Sequence, residues 1–148
     1  LEDTGFFSYP RYHAPLGGLP LAKPGSHTFR FSGLPSENFV LMFYLPSKTD
    51  KDREDFENLS TKLTAAIVDE KGNVVCSATG SPTDRTEKDK WFLMSSHRES
   101  GYWHSACNGV PLLRGTAYEL RVAVEAVDPR TPAIDMLAMV EGGGNELP

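Results

Sequence analysis

Histidine and cysteine side chains are the first candidates in this chain for metal ligation or nucleophilic catalysis. His13, His27, His97 and His104 form no HxH, HExxH or Cys/His spacing of the kind that closes a zinc site. His104 stands three residues before Cys107, so a Cys/His nucleophile pair can be drawn, but no orienting acid is evident. The spacing therefore predicts no metal, no cofactor and no catalytic cysteine.

Two other groups of residues have the side-chain types of a catalytic or metal-binding site. Ser95, Ser96, His97 and Glu99 could supply a serine triad, yet no GxSxG turn presents the serine. The carboxylates of residues 47–60 alternate with lysine and arginine and lack the DxDxDG frame of a calcium loop. Both groups are typical of solvated surface segments, and we expect the protein not to be an enzyme.

Aromatic side chains are the remaining candidates for function. Trp91, Tyr102, Trp103 and His104 lie near one another in the sequence. Exposed, they would offer flat amphipathic surfaces for protein contacts or for stacking on a sugar. The alternative is that Trp91 and Trp103 fill the core of the domain. We take the four as candidate binding residues and leave the core alternative open.

Charge and hydropathy exclude several partners. Fifteen Lys+Arg against twenty Asp+Glu give a formal net charge of −5 and a pI near 5.3, the wrong sign for attraction to nucleic acid or anionic lipid. The longest strongly apolar run, Phe39–Leu45, is far shorter than the roughly 20 residues of a membrane span. We expect no nucleic acid and no transmembrane segment, and the acidic balance would suit a basic protein partner.

The two cysteines indicate a compartment. Cys76 and Cys107 lie in segments that read as half-buried, and an even count without CxxC predicts one structural disulfide in an exported domain. The alternative is a pair of buried thiols in a cytosolic protein. A chain that opens on Leu1 rather than Met is compatible with a removed export signal. We expect a periplasmic or extracellular location.

Local patterns predict strands. Residues 118–128 alternate, with Tyr118, Leu120 and Val122 on one face and charged residues on the other. Segments 62–68 and 74–79 form a hairpin whose turn uses Gly72 for its positive φ.

Further segments complete the pattern. Residues 39–45 show no alternation with polar residues, so a strand there would be central and covered on both faces. Residues 28–32 and 133–140 alternate, residues 91–96 read as a strand, and residues 101–114 read as irregular. The sequence predicts an extended N-terminal arm over residues 1–26 and a flexible tail over residues 141–148. We expect residues 6–13 of the arm to pair with a sheet edge of their own domain, and the alternative is that they offer that edge to a partner.

These elements define an architecture. About seven strands spaced by turn signals, with at most one short helix between residues 47 and 60, predict an all-β fold, an antiparallel β-sandwich in one domain over residues 1–148. The helix would be capped by Thr49 or Asp50. A closed barrel is the alternative architecture.

The segment Leu112–Val122 has the pattern L-x-x-G-x-x-Y-x-L-x-V. It resembles the start of the penultimate strand in Ig-like and jelly-roll domains of bacterial exported proteins. With Phe29–Phe31 and the central hairpin, the chain is also similar to periplasmic lipoprotein domains, some of which are associated with immunity to secreted toxins. The resemblance implies a β-sandwich and carries no site residue.

Two functions follow as expectations. The first is a non-catalytic periplasmic or secreted binding module that acts through protein contacts, with toxin immunity or enzyme inhibition as its specific form. The second is a carbohydrate-binding module with Trp91, Tyr102 or Trp103 as its aromatic platform.

Overall fold

The computed structural model describes residues 9–33, 38–46, 49–84, 86, 90–95 and 100–144. Within these ranges the chain forms nine strands and one helix. In chain order they are β1 (Tyr9–Pro20), β2 (Gly25–Phe31), β3 (Asn38–Tyr44), α1 (Asp50–Glu57), β4 (Lys62–Asp69), β5 (Val74–Gly80), β6 (Phe92–Ser95), β7 (Ser100–Pro111), β8 (Tyr118–Ala126) and β9 (Asp135–Gly144).

The strands form two antiparallel sheets that pack as a sandwich. One sheet has five strands in the order β1-β9-β3-β7-β6, and the other has four in the order β2-β8-β4-β5. The inner faces of both sheets are buried and apolar. Leu41, Phe43 and Val140 of the larger sheet and Ile67 and Val122 of the smaller sheet belong to one core. The predicted sandwich fold with a single short helix is confirmed.

The described residues form two strands more than the seven that the sequence predicts, because two segments that were not expected to be strands pair with neighbouring strands. Residues 9–20, expected to be part of an extended arm, form the edge strand β1 against β9. Residues 100–111, expected to be largely irregular, form β7 between β3 and β6, with register shifts that absorb the irregularity. Residues 141–144, expected in a flexible tail, continue β9, while residues 1–8 and 145–148 lie outside the described residues.

The predicted hairpin is present. β4 and β5 pair in antiparallel register, and Gly72 in their turn has φ +83°. Asp69 closes this turn by accepting hydrogen bonds from the backbone N–H groups of Lys71 and Asn73, each at 2.9 Å. These contacts hold the pKa of the Asp69 carboxyl below its usual value, with the Asn73 N–H as the largest cause.

The start of β8 explains the Gly-to-Tyr spacing in the sequence. Gly115 has φ +78°, a left-handed conformation that favours glycine. The loop then folds back so that the Leu113 N–H donates to the Tyr118 hydroxyl at 2.7 Å. A tyrosine bound to backbone a few residues upstream is a recurrent corner of β-sandwiches.

A disulfide joins the two sheets at one side of the sandwich. Cys76 on β5 is bonded to Cys107 on β7, with a Cα–Cα distance of 5.4 Å and a sequence separation of 31. The predicted bond is confirmed. β7 reaches β5 because its register against β3 shifts between Trp103 and Asn108.

The helix and the Asp128 turn close one end of the sandwich. Thr49, one of the two predicted caps, accepts a hydrogen bond from the Asp52 N–H at 3.2 Å. Asp128, which is 4% exposed, accepts hydrogen bonds from the Ser60 N–H and from the Arg130 side chain. The turn after β8 is thereby fixed to the segment between α1 and β4.

Candidate functional site

The structure places Trp91 and Tyr102, two of the candidate binding residues, in the core. Both are 0% exposed. Trp91 Nε1–H donates to the Leu63 carbonyl at 3.2 Å, and the Tyr102 hydroxyl donates to the Phe56 carbonyl. Burial raises the pKa of the Tyr102 hydroxyl well above its usual value. The core alternative holds for Trp91, and neither side chain can touch a ligand in this fold.

His104 is also a core residue. It is 2% exposed, and its Nδ1 accepts from the Ala106 N–H at 3.1 Å while Nε2 lies 3.1 Å from the Thr79 carbonyl. A backbone N–H only donates and a carbonyl only accepts, so the proton is on Nε2. Cys107 is in the disulfide with Cys76 and is not a free thiol. His104 and Cys107, the nucleophile pair considered from the sequence, therefore both have structural roles.

The serine triad drawn from the sequence falls largely on residues that the structure leaves undescribed. Ser95 is the last residue of β6. Ser96, His97 and Glu99 lie outside the described residues.

Trp103 is the one aromatic candidate that points away from the core. It is half-buried on the outer face of the five-stranded sheet and is stacked on Phe92, with ring centroids 5.1 Å apart and an interplanar angle of 26°. Lys90 Nζ lies 5.4 Å from the centroid of the Phe92 ring. Since Trp103 covers one face of Phe92, the ammonium occupies the other.

Trp103 belongs to a row of apolar residues that crosses all five strands. The strand registers pair Pro15 with Met139, Met139 with Met42, Met42 with Trp103, and Trp103 with Phe92. We call these five residues the apolar row. Their Cβ atoms lie on the outer face, because the residues that alternate with them, among them Leu41, Phe43 and Ala138, face the core.

A hydrogen-bonded group of polar side chains borders the apolar row. The Tyr44 hydroxyl donates to Glu141 Oε1 at 3.1 Å and Oε2 at 2.9 Å, and His13 Nδ1 lies 2.8 Å from Glu141 Oε2. The Glu141 side chain is 20% exposed and that of His13 is 39% exposed. The apolar row and these three residues together form what we call the outer-face site.

The other outer face of the sandwich is polar. On the four-stranded sheet, Thr64 is hydrogen-bonded to Thr79 and Glu125, at 3.0 and 3.2 Å. Glu119 accepts from Arg121 at 2.7 Å and from Arg30 at 3.3 Å. Hydrogen bonds from Arg121 and then Arg30 hold the pKa of the Glu119 carboxyl below its usual value. The two outer faces therefore differ in chemistry.

A cleft of about 450 Å³ lies at the hairpin end of the four-stranded sheet. Its charged lining includes Arg30, Glu119 and Arg121, which are already paired with one another, and Asp69, which is bound to its own turn. These four groups are paired within the protein, as Glu141 and His13 of the outer-face site also are, so the apolar row is what makes the outer-face site the stronger candidate.

Neither a metal centre nor a spanning helix is found in the part of the chain that the structure describes. There, no group of three or more His, Cys, Asp and Glu side chains is placed to hold a metal ion. In the same ranges, no helix has the length and apolar character needed to cross a bilayer.

The sequence indicates Trp103 but not the rest of the outer-face site. The sequence feature that bears on this site is the run Phe39–Leu45, which shows no alternation with polar residues and predicted a strand covered on both faces. In the structure, β3 is central as expected, and its inner face packs against the other sheet, while on its outer face Met42 is 1% exposed and Val40 and Tyr44 are half-buried. Val40, Met42 and Tyr44 point outward.

Comparison with known proteins identifies no family for this chain. No protein-family model matches it, and neither a curated protein nor a solved structure is significantly similar to it.

Proposed function

We propose that this protein is a non-catalytic binding module that acts through protein contacts made by the outer-face site. The observation that carries the proposal is the contrast between the two outer faces. One is crossed by the apolar row from Pro15 to Phe92, whereas the other bears paired charges and hydroxyl groups. Apolar surface on one side of a sandwich is typical of an interaction site.

The same geometry favours a protein over a carbohydrate. Sugar stacking needs an open aromatic face with hydrogen-bonding groups beside it. Here Trp103 and Phe92 cover each other, and Lys90 covers the remaining face of Phe92. The rest of the apolar row is aliphatic or thioether, which suits the mixed apolar side chains of a protein.

The disulfide and the net charge of the chain add a compartment and a type of partner to the proposal. The buried Cys76–Cys107 disulfide is compatible with an oxidising compartment. We place the module in the periplasm or outside the cell, where its net charge of −5 favours association with a basic partner. Immunity to a secreted toxin is the specific role that the sequence resemblance implies, and inhibition of an enzyme is a second form of the same proposal.

The test is affinity capture from an extract of the native host with two matched lysine variants. Met139→Lys places a charge in the apolar row, and Ala123→Lys places one on the outer face of the four-stranded sheet. We expect Met139→Lys to lose the captured protein and Ala123→Lys to retain it, with unchanged unfolding midpoints. Equal retention by both variants would refute the proposed site.

A further inference from the structure

The two sheets have four edge strands, and three of these edges are blocked. β1 carries Pro15 and Pro20 and has two register shifts against β9. β5 is held to β7 by the disulfide and by the hydrogen bond from His104 to the Thr79 carbonyl. β6 is only four residues long and contacts α1. Prolines, bulges, short strands and covering elements are the usual devices that keep another chain from pairing with a sheet edge.

The fourth edge strand, β2, has none of these devices. Its seven residues, Gly25–Phe31, contain no proline and pair with β8 without a register shift. Among the described residues, β8 is the only strand that pairs with it. Ser26, Thr28 and Arg30 are exposed along this strand. A regular, exposed edge of this kind is the structure to which extended peptides add as a further strand.

Hydrogen bonds elsewhere in the sheet show which backbone groups of β2 are at its free edge. The Thr79 carbonyl accepts from His104 on β7 and so points away from β4. Its register partner Thr64 therefore bonds to β8, where it is paired with Ala123. Because Ala123 bonds to β4, its partner on the other side, Ser26, directs its N–H and C=O groups away from β8.

The other end of β4 gives the same directions. The Asp69 N–H donates to the Asn73 carbonyl at 2.9 Å, so the backbone groups of Asp69 point toward β5. The direction alternates at every residue, so Thr64, five residues earlier, points toward β8. By the same alternation along β2, the residues whose N–H and C=O groups line the free edge are Ser26, Thr28 and Arg30.

The side chains of β2 define the chemistry of a strand that fits this edge. On the outer face, Arg30 and Arg121 share the Glu119 carboxylate, each through its Nε, so two guanidinium groups face one carboxylate. The Arg30 side chain is 85% exposed. On the inner face, Phe29 and Phe31 are half-buried against the core. A matching strand has an acidic side chain opposite Arg30 and apolar side chains opposite the two phenylalanines.

The other acidic groups near this edge leave the charge of Arg30 available. Asp69 and Glu70 line the far side of the cleft that Arg30 borders, at the end of β4, two strand spacings or roughly 10 Å from β2. Asp69 is bound to its own turn. The net charge of −5 belongs to the whole chain, so one carboxylate in the added strand is compatible with a partner that is basic as a whole.

We propose that the free edge of β2 binds an extended segment of a partner protein, which adds antiparallel to β2 as a fifth strand of the four-stranded sheet. The segment alternates apolar and polar residues and carries a carboxylate opposite Arg30. It follows the antiparallel direction of every pairing in this sheet. It lies beside β2 rather than inside the sandwich, because the Phe29 ring fills the space next to β1, where a Cβ on Gly17 would lie 2.7 Å from its Cε1.

This surface is separate from the outer-face site, so the inference goes beyond the proposed function. A two-dimensional NMR titration with the acetylated and amidated hexapeptide VEVTVT tests it. Antiparallel pairing sets the glutamate of this peptide opposite Arg30 and its three valines opposite the inward residues of β2. We expect a Kd below about 1 mM, with shifted resonances and slowed hydrogen exchange at the three free-edge amides.

Variants at one position separate backbone pairing from side-chain contacts. Thr28→Pro removes an N–H that β8 does not use, so the unfolding midpoint should stay unchanged while peptide binding falls at least roughly tenfold. Thr28→Val keeps the N–H and should bind the peptide as the wild type does. A peptide methylated on the backbone nitrogens of its glutamate and two threonines, which face β2, should not bind the wild type. This peptide gives the same test should the proline variant unfold.

The charge contact has its own control. The peptide VKVTVT should bind the wild type several-fold more weakly than VEVTVT, and Arg30→Ala should remove that difference. No shift at β2 with VEVTVT at about 5 mM, equal binding by Thr28→Pro and the wild type, or shifts confined to Met139 and Trp103 would overturn the strand addition. These results leave the proposed function standing, since its own test is capture that depends on Met139.

Discussion

The Tyr44 hydroxyl is bonded to both carboxylate oxygens of Glu141, at 3.1 and 2.9 Å. Tyr44 is in register with Leu137 and Glu141 with Val40, so the bond extends over four residues of β9. The tyrosine ring must cross the apolar row to make it. This explains why Met42 is only 1% exposed although it points outward.

This arrangement predicts a change in methionine reactivity. Tyr44→Ala should expose the Met42 thioether to dilute hydrogen peroxide, whereas Tyr44→Phe, which keeps the ring, should leave it protected. Peptide mass spectrometry measures the rate of sulfoxide formation at Met42. Equal rates in the alanine and phenylalanine variants would show that the ring does not cover Met42.

The disulfide should contribute strongly to stability. Replacing Cys76 and Cys107 together with serine removes a cross-link with a sequence separation of 31, and should cost roughly 3–4 kcal/mol in the free energy of unfolding. Denaturant titrations of the wild type and the double variant measure the difference. An unchanged midpoint would contradict a stabilising bond.

The ionised Asp128 carboxylate should make the free energy of unfolding decrease as the pH falls. Hydrogen bonds from the Arg130 side chain, the Arg130 N–H and Ser60 hold the pKa of its carboxyl well below the usual range. In the unfolded chain that pKa returns to about 3.9, so the unfolded state takes up the proton first as the pH falls. The contribution is complete above about pH 5 and is lost progressively below about pH 4.

The measurement for Asp128 compares the wild type with Asp128→Asn between pH 7 and pH 3. We expect the variant to be about 2 kcal/mol less stable at pH 7 and the difference to shrink in acid. A difference that stays constant across this range would contradict the assigned role of the carboxylate.

Neighbouring residues of β8 should respond very differently to substitution. Val122 is 1% exposed on the inner face, whereas the Arg121 side chain is 60% exposed on the outer face. Val122→Asp buries an unpaired carboxylate and should cost several kcal/mol, while Arg121→Ala should cost about 0.5 kcal/mol. Similar unfolding midpoints for the two variants would contradict the assigned faces.

Much of the fold was accessible from local patterns. The alternation after Tyr118, the hairpin turn at Gly72 and the pairing of Cys76 with Cys107 each depend on a signal in the sequence that the structure confirms. β7 was not recognised, because its irregular composition is accommodated by register shifts against β3 that only the paired strands reveal.

The candidate site was harder to predict, since it depends on which way each side chain faces in the sheet. Trp91 and Trp103 are both tryptophans in neighbouring segments of the chain, yet Trp91 is buried and Trp103 points outward. The apolar row joins residues from five strands that are distant in the sequence. Sheet order, which no local pattern specifies, brings them together.

Carbene footprinting of the protein, alone and in complex with its captured partner, shows directly whether partners contact the outer face of the five-stranded sheet. Mass spectrometry measures the labelling at individual side chains. We predict reduced labelling at Met139, Trp103 and Phe92 in the complex, with Thr64 and Arg121 unchanged. Protection of Thr64 and Arg121 with undiminished labelling of the apolar row would contradict the proposed binding face.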